Sequence, residues 1–363
     1  MNEDGGGSPA RGATGQAGPL EGVRVLDLTH YVAGPYCTRV LADQGAAVLR
    51  IEPPGGDPLR SWPPFPPGGQ EPGLLYTYLN CDKELITLDL SDPAARERVL
   101  DLARNSDVVV ENFRPGTLDR WGIGWEALHR ANPRLVLTSI SNFGQTGPYR
   151  DYRAWDIVED ALGGLAYIHG ADDRQPLTHG NPQAQYRAGV VATSATIAAL
   201  LNVDDEGEHV DVSIMECIAS TLRDTIPQYT FMGAVRRRGG RQGGAGAITR
   251  CADGWVIPSA YGADYSLFAN FLEAPELGDE KFLTGDGRQT HAAEFRQTMV
   301  EVLKRWKTME FFEGAQTWGF GVGAVISPLQ NLDSSQLRER GFFRDIEVSP
   351  GQTAPAPKGG IRI

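Results

Sequence analysis

The chain has 363 residues, of which 41% are hydrophobic, 9% aromatic and 22% charged, proportions that exclude a disordered, collagen-like or disulfide-scaffold protein. At about 100–200 residues per domain, that length suggests two domains or one large domain with an insertion. The 46 acidic and 34 basic residues give a formal charge of -12, a repulsive average field that argues against nucleic acid as a partner. An anionic small molecule stays open, provided that local arginines or backbone N–H groups receive it.

Residues 1–18 are polar and Gly-rich and read as a flexible tail. Cys37, Cys81, Cys217 and Cys251 are scattered, with no C-x-x-C pair. No secretory leader and no run of about 18 apolar residues is visible, so a cytoplasmic chain with reduced thiols and no membrane partner is expected. Val23–Leu28 reads as the first strand, Gly34–Gly45 as a helix with Pro35 at its start, and Ala47–Ile51 as the second strand. Glu52–Gly73 holds eight of the 24 prolines and is too long for a simple connector, which makes it a candidate lid.

The pattern resumes with strand Leu85–Leu88, helix Pro93–Arg104 capped by Ser91 or Asp92, strand Asp107–Val110, helix Trp125–Ala131 and strand Arg134–Ile140. Such alternation predicts an α/β fold with a parallel, doubly wound sheet. Ligands are then expected at the loops Thr29–Gly34, Glu111–Gly116 and Ser141–Gly147, outside the carboxyl ends of the strands. Ala188–Asn202, small and apolar, reads as a buried helix, His209–Val212 as a strand and Ser213–Thr225 as another helix. A basic, Gly-rich loop over Arg236–Gly246 precedes a hairpin over Ala247–Ser259 and a helical region over Tyr265–Phe312, which together suggest a second, smaller domain.

Phosphate-binding G-x-x-x-x-G-K-[ST], H-E-x-x-H, G-x-S-x-G and G-x-G-x-x-G patterns are all missing, and the six histidines show no metal-ligand spacing. No metal is therefore expected. Pattern and composition alone stop at an α/β protein.

Several segments in a fixed order go further. Pro19–Tyr36 (PLEGVRVLDLTHYVAGPY), Asn80–Leu90 (NCDKELITLDL) and Asp107–Gly116 (DVVVENFRPG) closely resemble the family III CoA-transferases, as do Leu118–Gly122 and Gly319–Val325. That family includes formyl-CoA, carnitine-CoA and benzylsuccinate-type transferases and 2-methylacyl-CoA racemases. The resemblance implies a Rossmann-like large domain over 19–215 and 326–363, with a linker and a smaller α+β domain over 216–325. It also implies an interlocked, ring-like dimer, either a homodimer or a heterodimer with an active paralogue. The ligands implied are an acyl-CoA thioester and a carboxylate, with no permanently bound cofactor.

Carried over residue by residue, the resemblance puts His30, Tyr31, Val32 and Ala33 against the CoA pantetheine, where the small Ala33-Gly34 pair permits close approach. It adds Leu88, Asn112, Phe113, Arg153 and Trp155 to the CoA site and sets Arg120 near the nucleotide phosphates. Relatives often carry a basic residue after the second strand. This chain has Pro53 there, so Arg50 or Arg60 is expected to meet phosphate instead. The glycine loop, with Gly243, Gly244 and Gly246, matches a segment that closes over the active site, although a flexible surface hairpin explains it as well.

The chemistry departs further. Active members use an aspartate, in a turn just before the small-residue helix, to attack the thioester and form an acyl-aspartyl anhydride. The matching stretch Gly180–Gly189 contains no Asp or Glu, and Gln185 stands at the nucleophile position. An amide is a very poor nucleophile. A racemase reading fails as well, because Trp155 and Gln185 occupy the positions of its His–Asp pair.

Asp156 is the candidate substitute nucleophile, weighed against an ordinary helix-start residue; Glu159 and Asp160 follow on the same helix. His179 and Tyr186 could orient a substrate. Three readings remain: a nucleophile-lacking subunit of a heteromeric CoA-transferase, which chemistry favours; an active transferase using Asp156; and an acyl-CoA-binding or non-transferase protein on the same fold.

Overall fold

A computed structural model describes residues 18–69, 71–171, 173–203, 206–238, 247–259 and 264–359. Residues 1–17 of the tail and the loop glycines Gly243, Gly244 and Gly246 lie outside the described residues. The chain divides into two compact units, which part after Tyr167, Pro176, Gly233 and Arg338. The sequence reading set its boundaries at 215 and 325.

The first unit is built on β1 (Arg24–Asp27), α1 (Ala33–Asp43), β2 (Ala47–Glu52), α2 (Leu74–Asn80), β3 (Glu84–Thr87), α3 (Pro93–Ala103) and β4 (Val108–Glu111). It continues through α4 (Thr117–Arg120), α5 (Trp125–Ala131), β5 (Val136–Ser141), α6 (Asp156–Leu162), α7 (Leu165–Ile168), α8 (Gln183–Asn202), β6 (His209–Ser213), α9 (Ile214–Ala219) and α10 (Thr225–Met232). The six strands pair in parallel in the order β3-β2-β1-β4-β5-β6. This is the doubly wound dinucleotide-fold order, with its switch point between β1 and β4.

Alternate residues of each strand face opposite layers. Val25, Val48, Val108, Val110 and Val136 meet Cys37 and Leu41 of α1 and the alanines of α8 on one face. Leu26, Ile51, Val109 and Leu137 meet Val99 of α3 and Leu128 of α5 on the other. The small residues of α8 let it lie close to α1. A Cβ on Gly189 would sit 2.8 Å from the Ala33 carbonyl oxygen and 3.0 Å from the Tyr36 ring.

Asp92 caps α3, its carboxylate accepting from the Ala94 N–H at 3.0 Å, while Ser91 bonds Asp89 instead. The helix expected over Ser213–Thr225 is interrupted: α9 ends at Ala219 and a short 3-10 turn follows over Ser220–Leu222. The larger revision is α8. It begins at Gln183, five residues before the apolar stretch, because Gln, Ala, Tyr and Arg are all compatible with a helix. Gln185 therefore belongs to the first turn of α8 and not to a preceding turn.

The second unit has its own core of Phe268, Phe271, Phe282, Phe295, Phe311 and Phe320. The strands of the expected hairpin, Thr249–Arg250 and Trp255–Ile257, pair antiparallel, and Gly323–Val325 joins as a third strand. The chain then returns to the first unit as a hairpin of Phe343–Ser349 and Gln352–Pro357. Arg344 of this hairpin pairs with Asp82, and its guanidinium lies 3.5 Å from Asp43.

Candidate functional site

The loops that leave β1 and β4 are joined by one asparagine. The His30 N–H donates to Asn112 Oδ1 at 2.9 Å, and Asn112 Nδ2 donates back to the His30 carbonyl at 2.7 Å. Above this clamp the His30 ring packs 5.3 Å from Phe113 and 5.0 Å from Tyr31. Tyr31 adopts the left-handed conformation, with φ 59°, and turns toward Trp155 at 5.3 Å and Trp62 at 6.0 Å. Five residues singled out from the sequence, His30, Tyr31, Asn112, Phe113 and Trp155, thus form one aromatic-walled cluster at the switch point.

Trp62 is the member that sequence reasoning missed. It comes from the proline-rich segment, and its signal was an apolar indole, 39% exposed, in a long loop. Val32 and Ala33 are buried and leave only their backbone for a ligand. Leu88 packs on the α3-side core, as do Ile86, Leu90 and Phe113. Burial, reinforced by the Arg50 charge, lowers the His30 imidazole to about 4, so the ring is neutral at pH 7.

Arg50 requires a correction. It is 1% exposed and lies 2.5 Å from Asp57, 3.4 Å from Asp27 and 3.6 Å from Glu52. Asp27 also accepts from Lys83 at 3.1 Å, Thr38 at 2.7 Å and Thr29 at 2.5 Å. Burial alone would raise the Asp27 carboxyl, but the cations Lys83 and Arg50 bring it down to about 2. Arg50 is thus the centre of a buried charge network beneath the site, turned away from any phosphate in solvent. Arg60 is engaged too, donating to Glu52 at 2.6 Å and to the Tyr76 hydroxyl at 2.6 Å. Arg120 and Arg153 are exposed, and Arg120 donates to Thr117 Oγ1 at 2.9 Å.

A second cluster forms where α6 meets the start of α8. The Gln185 backbone N–H donates to Asp156 Oδ1 at 3.1 Å, and its Nε2 donates to Glu159 Oε2 at 3.0 Å. Glu159 is 0% exposed and Asp160 1%, while His179 Nδ1 lies 3.2 Å from Asp160 Oδ2. Burial pushes the Glu159 carboxyl up to about 7; Asp156 and Asp160 reinforce the rise and the Gln185 amide opposes it. Burial raises Asp156 as well. Tyr186 packs edge-on against Tyr36 at 4.8 Å.

The raised Glu159 carboxyl predicts a pH effect. Folded Glu159 holds its proton to about pH 7, whereas an unfolded Glu releases it near 4.3, so its contribution is complete below that value and lost as pH rises to 7. Urea midpoints should fall between pH 4.5 and 7.5, and Glu159→Gln should remove part of the fall, of the order of 2 kcal/mol. Glu111, also pushed up to about 7 by burial, supplies a similar part. An unchanged pH slope in the variant would show that Glu159 ionises normally.

Among the described residues, no group of His, Cys, Asp and Glu could hold a metal, and no helix is long and apolar enough to cross a membrane. A doubly wound parallel sheet with an aromatic cluster at its switch point defines the broad class. The model of CoA-transferase family III matches residues 20–362, and the chain belongs to that family. It is 39% identical over 339 residues to a succinyl-CoA–D-citramalate CoA-transferase of Chloroflexus aurantiacus, covering 89% of this chain and 82% of the relative. It is 33% identical over 312 residues to the beta subunit of a succinyl-CoA–L-malate CoA-transferase from the same organism, covering 79% and 75%. A CAIB/BAIF family protein from Brucella suis superposes with a TM-score of 0.86 at 29% identity, covering 96% of this chain and 93% of that one.

Proposed function

We propose that this protein is a cytoplasmic subunit of a heteromeric CoA-transferase, binding acyl-CoA at the switch point while a paralogous partner supplies the carboxylate nucleophile. The observation that carries this reading is the side chain at position 185, an amide whose nitrogen is bound to the buried Glu159. An amide cannot form the mixed anhydride through which CoA would pass to a carboxylate. The name of the beta-subunit relative supports a shared enzyme.

The surface supports a partner chain. No residue of α10 is buried, and Phe231 and Met232 are 88% and 76% exposed. Helices this short need an apolar neighbour to persist. We assign that neighbour to the interlocked second subunit.

A second reading keeps the activity within this chain. Asp156 is half-buried, lies against the Gln185 N–H and carries a carboxyl raised by burial. Both readings meet in one experiment, CoA transfer assayed with the purified chain alone and with a co-expressed paralogue. The expected result is no transfer alone, transfer with the partner, and no effect of Asp156→Asn on the pair beyond about twofold. Transfer by the chain alone that Asp156→Asn abolishes would replace the first reading with the second.

A further inference from the structure

Three neighbouring strands of the first unit lay a carboxyl, a hydroxyl and an imidazole side by side. Glu111 ends β4 and pairs with Ser139 of β5, while His209 opens β6 opposite Leu137, two residues before Ser139. Paired residues, and residues two apart on one strand, point to the same face of a sheet, so all three share the layer of α3 and α5 with Leu137. His209 Nε2 lies 2.9 Å from Ser139 Oγ, and the Ser139 hydroxyl bonds the Glu111 carboxyl. The His209 ring stacks on Trp125 of α5, with centroids 5.6 Å apart. Together with Asp119 of α4 and Glu126 of α5, these groups line a cavity of about 280 Å³.

Glu111 is 5% exposed and Ser139 2%. Glu111 Oε2 accepts from the Phe113 N–H at 2.8 Å. That bond fixes the turn from which Asn112 clamps the His30 backbone and Phe113 packs on the His30 ring. Asp119 and Asp211 add to the effect of burial on the Glu111 carboxyl, and the Ser139 and Phe113 hydrogen bonds oppose it. Among the described residues Glu111 forms no ion pair. Arg114 and Arg150 line the same cavity, but Arg114 donates to the Asp151 carbonyl, and Arg120 of α4 donates to Thr117 Oγ1. Burial lowers the His209 imidazole, so that ring brings no cation at pH 7.

A buried carboxylate without a cation is costly, whereas water solvates it once the turn opens. We propose that Glu111 is a positioning residue for acyl-CoA: as a neutral carboxyl it holds the Asn112–Phe113 turn, ionisation releases the turn, and ligand binding takes up one proton there. This rests on the acyl-CoA reading above. The neutral group still accepts from the Phe113 N–H through one oxygen and donates to Ser139 through its own hydroxyl. A ligand seated against His30 and Phe113 excludes further water, which biases Glu111 more strongly toward its protonated form.

The test is calorimetric titration of the full chain, in whatever assembly it forms, with acetylpantetheine, a neutral thioester with no titrating group. One coupled proton at a carboxyl near 7 should weaken binding about tenfold from pH 6 to pH 8. Glu111→Gln keeps an acceptor for Phe113 and a donor for Ser139 without a charge, so it should bind equally at both pH values and more tightly than wild type at pH 8. Ser139→Ala removes a donor from the ionised carboxyl and should move the midpoint up by about half a unit. Wild-type affinity that does not change with pH, or a fall that survives in Glu111→Gln, would overturn the proposal. Should Glu111→Gln fail to fold, a midpoint unmoved by Ser139→Ala would overturn it instead. A wild-type chain that binds neither acetylpantetheine nor CoA at pH 6 would sink the acyl-CoA reading, and amide hydrogen exchange over residues 108–116 then decides the turn separately. The ratio of wild-type to Glu111→Gln exchange should rise about tenfold from pH 6 to pH 8. A constant ratio would overturn the positioning role.

Discussion

Exchanging the carboxylate and the amide across the α6–α8 contact should switch on CoA transfer in the isolated chain. Glu159 and Gln185 already share a hydrogen bond of 3.0 Å. The double variant Glu159→Gln, Gln185→Asp retains a donor and an acceptor on that line and keeps the total charge. It moves the carboxylate to α8, where the family resemblance sets the nucleophile. Thioester exchange by the double variant should exceed that of wild type by at least about 10²-fold, since loss of a nucleophile removes the covalent route altogether.

The single variant Gln185→Asp should gain far less. Its new carboxyl would face Glu159 in a buried setting, with Asp156 and Asp160 nearby, and adjacent carboxyls in such a site do not both ionise at pH 7. Hydroxylamine trapping at residue 185, with exchange rates for both variants, reads the difference. A single variant as active as the double would show that Glu159 has no hold on position 185.

Arg50→Met should cost about 3–5 kcal/mol of folding stability, equivalent to a fall of roughly 6–20 °C in Tm. The guanidinium touches Asp27 and Asp57, both 0% exposed at the side chain, so its removal leaves buried carboxylates short of a cation. Lys83 still reaches Asp27 at 3.1 Å, but Asp57 loses its ion pair with Arg50. Arg50→Lys should recover little, because a single ammonium cannot span both acids. Urea unfolding and CoA titration on the same variant separate the alternatives. Unchanged stability with a weakened CoA complex would restore Arg50 to the ligand site.

The six strands were legible because buried parallel strands read as short apolar runs between helix signals, as in Val108–Val110 and Val136–Ile140. The switch-point loops followed from strand order, and His30, Tyr31, Asn112, Phe113 and Trp155 indeed meet there. What sequence could not supply was the direction of side chains. Arg50 lies three residues before the exposed Pro53, yet its strand turns it inward among three acids. Glu159 read as one carboxylate in a helix, and only the crossing of α6 with α8 makes it the partner of Gln185. The polar first turn of α8 concealed the helix start because nothing apolar marks it.

The returning hairpin sets an order of events during synthesis. Arg344 pairs with Asp82, 262 residues earlier, and also approaches Asp43. At translation rates of roughly 5–20 residues per second, about 13–50 s separate the emergence of Asp82 from that of its partner. Throughout that interval the six-stranded sheet can assemble and Asp43 has Arg39 at 3.0 Å, but Asp82 waits without Arg344. The last step in building the first unit therefore falls after the whole second unit has left the ribosome.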